Sequence, residues 1–111
     1  MLKSQKLSKE LLESCLQKSI KLITAESCTG GLLSANITGI AGSSAFFSYG
    51  IICYSNESKK EFLKVSDEVI NSHGAVSYET VKQMLLGLCN QAKASTLTIA
   101  ISGVAGPSGS E

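Results

Sequence analysis

The residues of this chain that could do chemistry fall at two places where an apolar run gives way to hydroxyls and glycines. The first is Thr24-Ala25-Glu26-Ser27-Cys28-Thr29-Gly30-Gly31. A strand that hands over to a helix through such a turn presents backbone N–H groups at a helix N-terminus, a setting suited to phosphate or carboxylate. The segment has neither the Gly-Lys-Ser/Thr of a nucleoside-triphosphate loop nor the GxGxxG of a dinucleotide fold. On its residues alone it reads either as an anion site or as a glycine turn with a capping hydroxyl.

The second place is split by a strand-like run, with Ala41-Gly42-Ser43-Ser44-Ala45 before it and Tyr54-Ser55-Asn56-Glu57-Ser58-Lys59 after it. At about 3.3 Å per residue, the two ends of that strand lie about 25 Å apart. A bulge or turn near Tyr49-Gly50 would let Ser44 approach Tyr54, with Gly50 as the permissive residue. Without it, Ser44 is a turn serine, Tyr54 packs a strand end and Lys59 is a solvated helix residue.

His73 is the only histidine, so a Ser-His-Asp or Cys-His pair would have to use it. It stands beside Gly74 at a helix end, where a histidine ordinarily complements the helix dipole. Glu26 reads as a buried acid with no carboxylate partner. Cys15, Cys28, Cys53 and Cys89 are widely separated and form no CxxC, which argues against a zinc site and against a disulfide framework. They are expected to be reduced thiols, with Cys15 and Cys89 packed in the core from helices.

The elements that must position these groups alternate. Leu7, Leu11, Leu12, Cys15 and Leu16 mark an amphipathic helix to about Gln17, and Ile20 to Ala25 reads as a short buried strand. Gly30-Gly31 opens a second helix. Phe46 to Tyr54, rich in β-branched and aromatic residues, is a strand that stops at Tyr54-Ser55-Asn56. Asn56, Ser66 and Ser77 are the expected N-caps of three further helices, the last with Val81, Met84, Leu85, Leu88, Cys89 and Ala92 on one face. Thr96 to Ser102 is the final strand, feeding a second glycine-rich loop, Gly103-Val104-Ala105-Gly106-Pro107-Ser108-Gly109. This order predicts one α/β domain, three-layered α/β/α, with helices on both faces of a mostly parallel or mixed sheet. No helix follows the last strand to cover it.

With 111 residues, 43% of them apolar, a single domain would bury roughly 65% of its unfolded surface. Ten basic and nine acidic residues are spread along the chain for a net charge of +1. No basic stripe points to nucleic acid, and no apolar run approaches the roughly 18 residues needed to span a bilayer. The N-terminus has no secretory pattern, so a cytoplasmic protein is expected.

Taken together and in order, several segments resemble the C-terminal domain of the CinA proteins and their stand-alone relatives, the PncC deamidases. They are Ala25-Glu26-Ser27-Cys28-Thr29-Gly30-Gly31, Gly42-Ser43-Ser44-Ala45 with Phe47, Tyr54-Ser55-Asn56 with Lys59, His73-Gly74-Ala75-Val76-Ser77, and Ser102-Gly103-Val104-Ala105-Gly106-Pro107. The resemblance implies hydrolysis of nicotinamide mononucleotide to nicotinate mononucleotide and ammonia, without metal or cofactor, by a homodimer. It assigns Ser44 as nucleophile, working with Tyr54 and Lys59. It places Ser27, Thr29, Gly30, Gly31, Gly42, Ser43, Asn56, Gly103 and Gly106 around the substrate, with Ser27 positioning it or a developing oxyanion.

Family domains continue past the Gly-Pro loop with further strands and a closing helix. The chain is therefore expected to be the amidohydrolase domain without its last strands. The alternative is a catalytically inactive remnant that acts at most as a nucleotide- or protein-binding module.

Overall fold

A computed structural model describes residues 3–104 and 107. The elements are α1 (Lys3–Lys18), β1 (Lys21–Glu26), α2 (Leu32–Thr38), a 3-10 turn (Ser43–Ala45), β2 (Phe47–Ile52), α3 (Asn56–Leu63), α4 (Asp67–His73), α5 (Tyr78–Gln91) and β3 (Thr96–Ile101). The strands form one sheet in the order β2-β1-β3, and both pairings are parallel.

β1 organises the layers because its side chains alternate between two faces. Ile23 and Ala25 enter a core with Cys53, Leu63, Val65, Ile70, Met84 and Leu88, which brings in α3, α4 and α5. Leu22 points the other way, into a core with Leu12, Cys15, Ile37 and Phe46 from α1, α2 and the residue that ends the 3-10 turn. All residues of β1 after Lys21 are buried, as a central parallel strand covered on both sides requires. The expected α/β/α architecture is the one observed.

Local chemistry sets the helix starts. Ser66 and Ser77 cap α4 and α5 as expected, their hydroxyls accepting from the N–H groups of Val69 and Thr80. The cap of α3 is Ser55 rather than Asn56: Ser55 Oγ accepts from Ser58 N, and Asn56 is the first helical residue. α1 begins at Lys3, ahead of the apolar stripe at Leu7, because lysine and glutamine are good helix formers. Gly87 marks the close crossing of α5 over α3, where a Cβ would lie 1.9 Å from the carbonyl oxygen of Leu63.

Of the two helical cysteines expected in the core, Cys15 is there. Cys89 is exposed, with its sulfur 3.2 Å from Thr98 Oγ1, because it sits at the rim of the α5 stripe that meets β3.

Candidate functional site

The chain leaves the central strand β1 for β2 on one side and then crosses back past β1 to β3 on the other. In open α/β sheets the crevice at the carboxyl ends of such strands is where ligands bind. Ser27, the residue after β1, stands at that point, 6% exposed, with its N–H donating to Ile101 O at 3.1 Å. The alternation along β1 turns Ser27 to the same face as Ile23 and Ala25, towards α3.

From α3 comes Lys59, 1% exposed despite its charge. Its Nζ lies 2.9 Å from Ser27 Oγ, 3.0 Å from Cys53 O and 3.0 Å from Tyr54 O. The two carbonyls belong to the segment between β2 and α3, so a single lysine ties the end of β2 to the end of β1. Burial pushes the Lys59 amine below its ordinary value, because an ammonium loses hydration that three neutral partners do not replace. Burial pushes the neighbouring Cys53 thiol up, and the nearby lysine offsets only part of that.

Glu26 faces the opposite layer and is likewise 1% exposed. Its carboxylate accepts from the N–H groups of Gly31, Leu33 and Ser34 at 3.2, 3.0 and 3.0 Å, and from Ser34 Oγ at 2.5 Å. Burial works against ionisation, but the hydrogen bonds from Ser34 and the helix N–H groups outweigh it and hold the carboxyl below its usual range, while the buried Thr29 hydroxyl makes no hydrogen bond among the described residues. The N-terminus of α2 is therefore filled by the chain's own anion. Gly30 N donates to Ser27 O at 3.1 Å, and Gly31 takes a left-handed φ of 105°, so both glycines serve the turn itself. The spacing of Glu26 and Ser34 carried no signal, since the pair meets only because α2 folds back over β1.

Gly50 has a role different from the expected one. A Cβ there would lie 2.5 Å from Thr24 Oγ1 and 2.6 Å from Ser34 Oγ, so glycine lets β2 lie against this hydroxyl and carboxylate chain. A bulge is present one step earlier, where Leu22 pairs with Phe47 and Ile23 with Tyr49, but β2 runs on in parallel to Ile52. Ser44 consequently stays at the amino end of the sheet, exposed on the 3-10 turn, with Phe46 O receiving Leu22 N and Ala45 O receiving Lys21 Nζ. Six strand residues at about 3.3 Å each separate it by roughly 20 Å from the Lys59 end.

Other expected site residues divide the same way. Gly42 caps the 3-10 turn with a φ of 88°, and the Ser43 hydroxyl, 9% exposed, donates to Thr38 O. Tyr54 meets Lys59 through its carbonyl, while its side chain is 67% exposed. Asn56 is exposed. Gly103 closes on the Ser27 side, where a Cβ would lie 3.1 Å from Cys28 Sγ. Gly106 lies outside the described residues. His73 pairs with Glu79 at 3.6 Å and has no part in this cluster. A cavity of about 380 Å³ lined by Lys21, Tyr49, Gln91, Lys93 and Thr96 opens at the amino end, away from Lys59.

A family model, the CinA C-terminal domain, matches residues 4–111. The chain belongs to that family. It is 43% identical over 103 residues to a nicotinamide-nucleotide amidohydrolase PncC of Escherichia coli K12, covering 93% of this chain and 62% of that protein. A CinA-like protein of Chloroherpeton thalassium is 46% identical over 100 residues, which make up 90% of this chain and 23% of the relative. The chain thus spans about a quarter to three-fifths of the length of such relatives.

Among solved structures, a competence or damage-inducible protein from Enterobacter asburiae superposes with a TM-score of 0.92 at 34% identity, covering 100% of this chain and 69% of that one. The competence damage-inducible protein A of Klebsiella pneumoniae gives 0.91 at 37% identity, with coverages of 97% and 66%. The α/β/α layers are those of CinA superfamily proteins.

Proposed function

We propose that this CinA-family chain hydrolyses the carboxamide of a nicotinamide nucleotide, converting nicotinamide mononucleotide to nicotinate mononucleotide and ammonia, at a centre built on Lys59. The observation that carries the reading is the dehydrated Lys59 amine in hydrogen-bond contact with a serine hydroxyl at the carboxyl ends of the strands. The identity to proteins named PncC, over nearly all of this chain, supports the substrate.

Amide hydrolysis needs a base that can take a proton from a weak nucleophile and return it to the leaving amine. A lysine in water, with a pKa of about 10.4, is neutral in only about one molecule in 10³ at neutral pH. Burial shifts Lys59 towards the neutral, basic form. The route in which a Tyr54 phenolate relays the proton of Ser44 would need the phenol beside the amine, whereas Lys59 engages the Tyr54 carbonyl. Ser44, at the far end of β2, would need a second chain to reach the same amine.

With the α2 N-terminus taken by Glu26, the substrate phosphate belongs on the side of the loop opening at Gly103. A cytoplasmic homodimer completes the proposal. Among the described residues no helix is long and apolar enough to cross a membrane, and β2 is an edge strand with Tyr49 and Ile52 exposed.

The test is ammonia release from nicotinamide mononucleotide by the purified chain and by Lys59→Met shown by circular dichroism to be folded. Release by the parent and its loss in the variant support the reading. A folded parent that releases no ammonia refutes it.

A further inference from the structure

We propose that the cavity at the amino ends of the strands is a second binding site, for a phosphate monoester of mononucleotide size. Its volume of about 380 Å³ is that of a small-molecule pocket, and it lies at the opposite end of β1 from Lys59. Lys21 stands at the start of β1 and Thr96 at the start of β3, while Lys93 belongs to the segment that joins α5 to β3. Ile23, 2% exposed, adds apolar surface. None of the lining residues contacts Lys59 Nζ, so this site goes beyond the amide-hydrolysing centre and does not depend on it.

The opening follows from the pairing of β2. Leu22 pairs with Phe47 and Ile23 with Tyr49, so Ser48 has no partner on β1. In a regular strand consecutive residues turn to opposite faces, but a bulge re-aims them, and Ser48 and Tyr49 both line the cavity. Gln91 fixes the wall they make. Its side-chain N–H donates to Phe62 O at 2.7 Å, and its Oε1 accepts from Tyr49 OH at 3.3 Å. Both polar atoms of the Gln91 amide are thus engaged within the protein, and the Tyr49 ring, 38% exposed, is held as a surface against which a planar ring can lie. A wall set before the ligand arrives costs little further ordering on binding.

The charges choose the other half of the ligand. No carboxylate lines the cavity, and both of its charged side chains are lysines. The ion pairs among the described residues, Lys60 with Asp67 and His73 with Glu79, involve neither of them. Lys21 gives one N–H to Ala45 O at 2.8 Å, which leaves two of the three donors of an ammonium. Together with Lys93 and the Ser48 and Thr96 hydroxyls, it can donate to one anionic group. A phosphate monoester, with three terminal oxygens, accepts from several such donors at once, and lysine binds it as a point charge without requiring a fixed fork geometry. A neutral ring alone would leave both lysines without a counter-charge.

The test is a two-dimensional amide NMR titration of the purified chain with adenosine monophosphate, adenosine and inorganic phosphate. The expected result is saturable shifts at the amides of Ser48, Tyr49, Lys93 and Thr96 with adenosine monophosphate, at a Kd of about 1 mM or below. Adenosine should bind there at least about tenfold more weakly, and inorganic phosphate at least about threefold more weakly. Lys93→Glu, at an exposed position, should weaken adenosine monophosphate at least about tenfold and leave the response to adenosine unchanged. Shifts confined to the Ser27 turn and the Lys59 end of α3 overturn the proposal, as does the absence of saturable shifts at the cavity amides up to about 10 mM ligand. An equal affinity for adenosine removes the phosphate from the assignment, an equal affinity for inorganic phosphate removes the ring, and a Lys93→Glu chain with the parent affinity removes the site; each refutes the proposal as stated. The readout is binding, so it holds whether or not the chain releases ammonia.

Discussion

The two ends of β2 carry the same kinds of residues and have opposite characters. At the amino end, Ser43 and Ser44 lie on a short turn, one hydroxyl bound to Thr38 O and the other exposed, beside a surface lysine, Lys21, that ties to Ala45 O. At the carboxyl end, a lysine 1% exposed meets a serine 6% exposed between two backbone carbonyls. A lysine at the surface keeps its hydration. A lysine stripped of water among neutral acceptors has its pKa lowered, so position along one strand separates a solvated lysine from a dehydrated one.

The largest effect expected on breaking this contrast is in activity. Lys59→Met should reduce ammonia release by at least about 10³-fold, whereas Lys21→Met, at the other end, should change kcat by less than about threefold. In the parent, kcat/KM should rise with pH as Lys59 loses its proton, with the ascending limb below the 10.5 of a free lysine. A pH profile that stays flat from 6 to 10 would contradict a lysine base.

Next in size is Glu26→Gln. The amide would turn an N–H against a backbone donor that now meets a carboxylate oxygen, costing about 1.5–3 kcal/mol, read as a lower urea midpoint. Because the carboxyl is held below its free value of 4.5, its contribution is fully present above that pH and is lost as pH falls through the folded-state value. Acid unfolding of Glu26→Gln should therefore have a weaker pH dependence below 4.5 than that of the parent.

Gly87→Ala should cost about 1–3 kcal/mol, since the clash with the fixed Leu63 carbonyl exceeds the roughly 1 kcal/mol that alanine gains in a helix. A more stable variant in thermal melts would show that α3, and Lys59 with it, can shift freely. Smallest is Ser77→Ala, which removes the cap hydroxyl of α5 for about 1 kcal/mol. It should lower the urea midpoint and leave kcat unchanged, because α5 supports the Lys59 layer without touching the amine.

Much of this molecule was determined by sequence alone. Periodicity, turn glycines and capping residues located the described helices and strands, Ser66 and Ser77 announcing theirs, because these signals depend on residues a few positions apart. Small local shifts, such as the cap moving from Asn56 to Ser55, lie within the resolution of such patterns. The family, too, was legible in the order of its glycine and serine segments.

What only the tertiary structure decided is which of those residues meet. Nothing near Ser27 in the chain announces Lys59, 32 positions away, and Glu26 and Ser34 look unrelated until α2 packs back over β1. Ser44 and Lys59, closer in sequence, are held apart because a parallel strand cannot fold back on itself without giving up its pairing with β1. Sequence specifies side-chain chemistry and local periodicity. Burial and long-range contact depend on how the layers close over β1, and it is burial that pushes the Lys59 amine below the value of a solvated lysine.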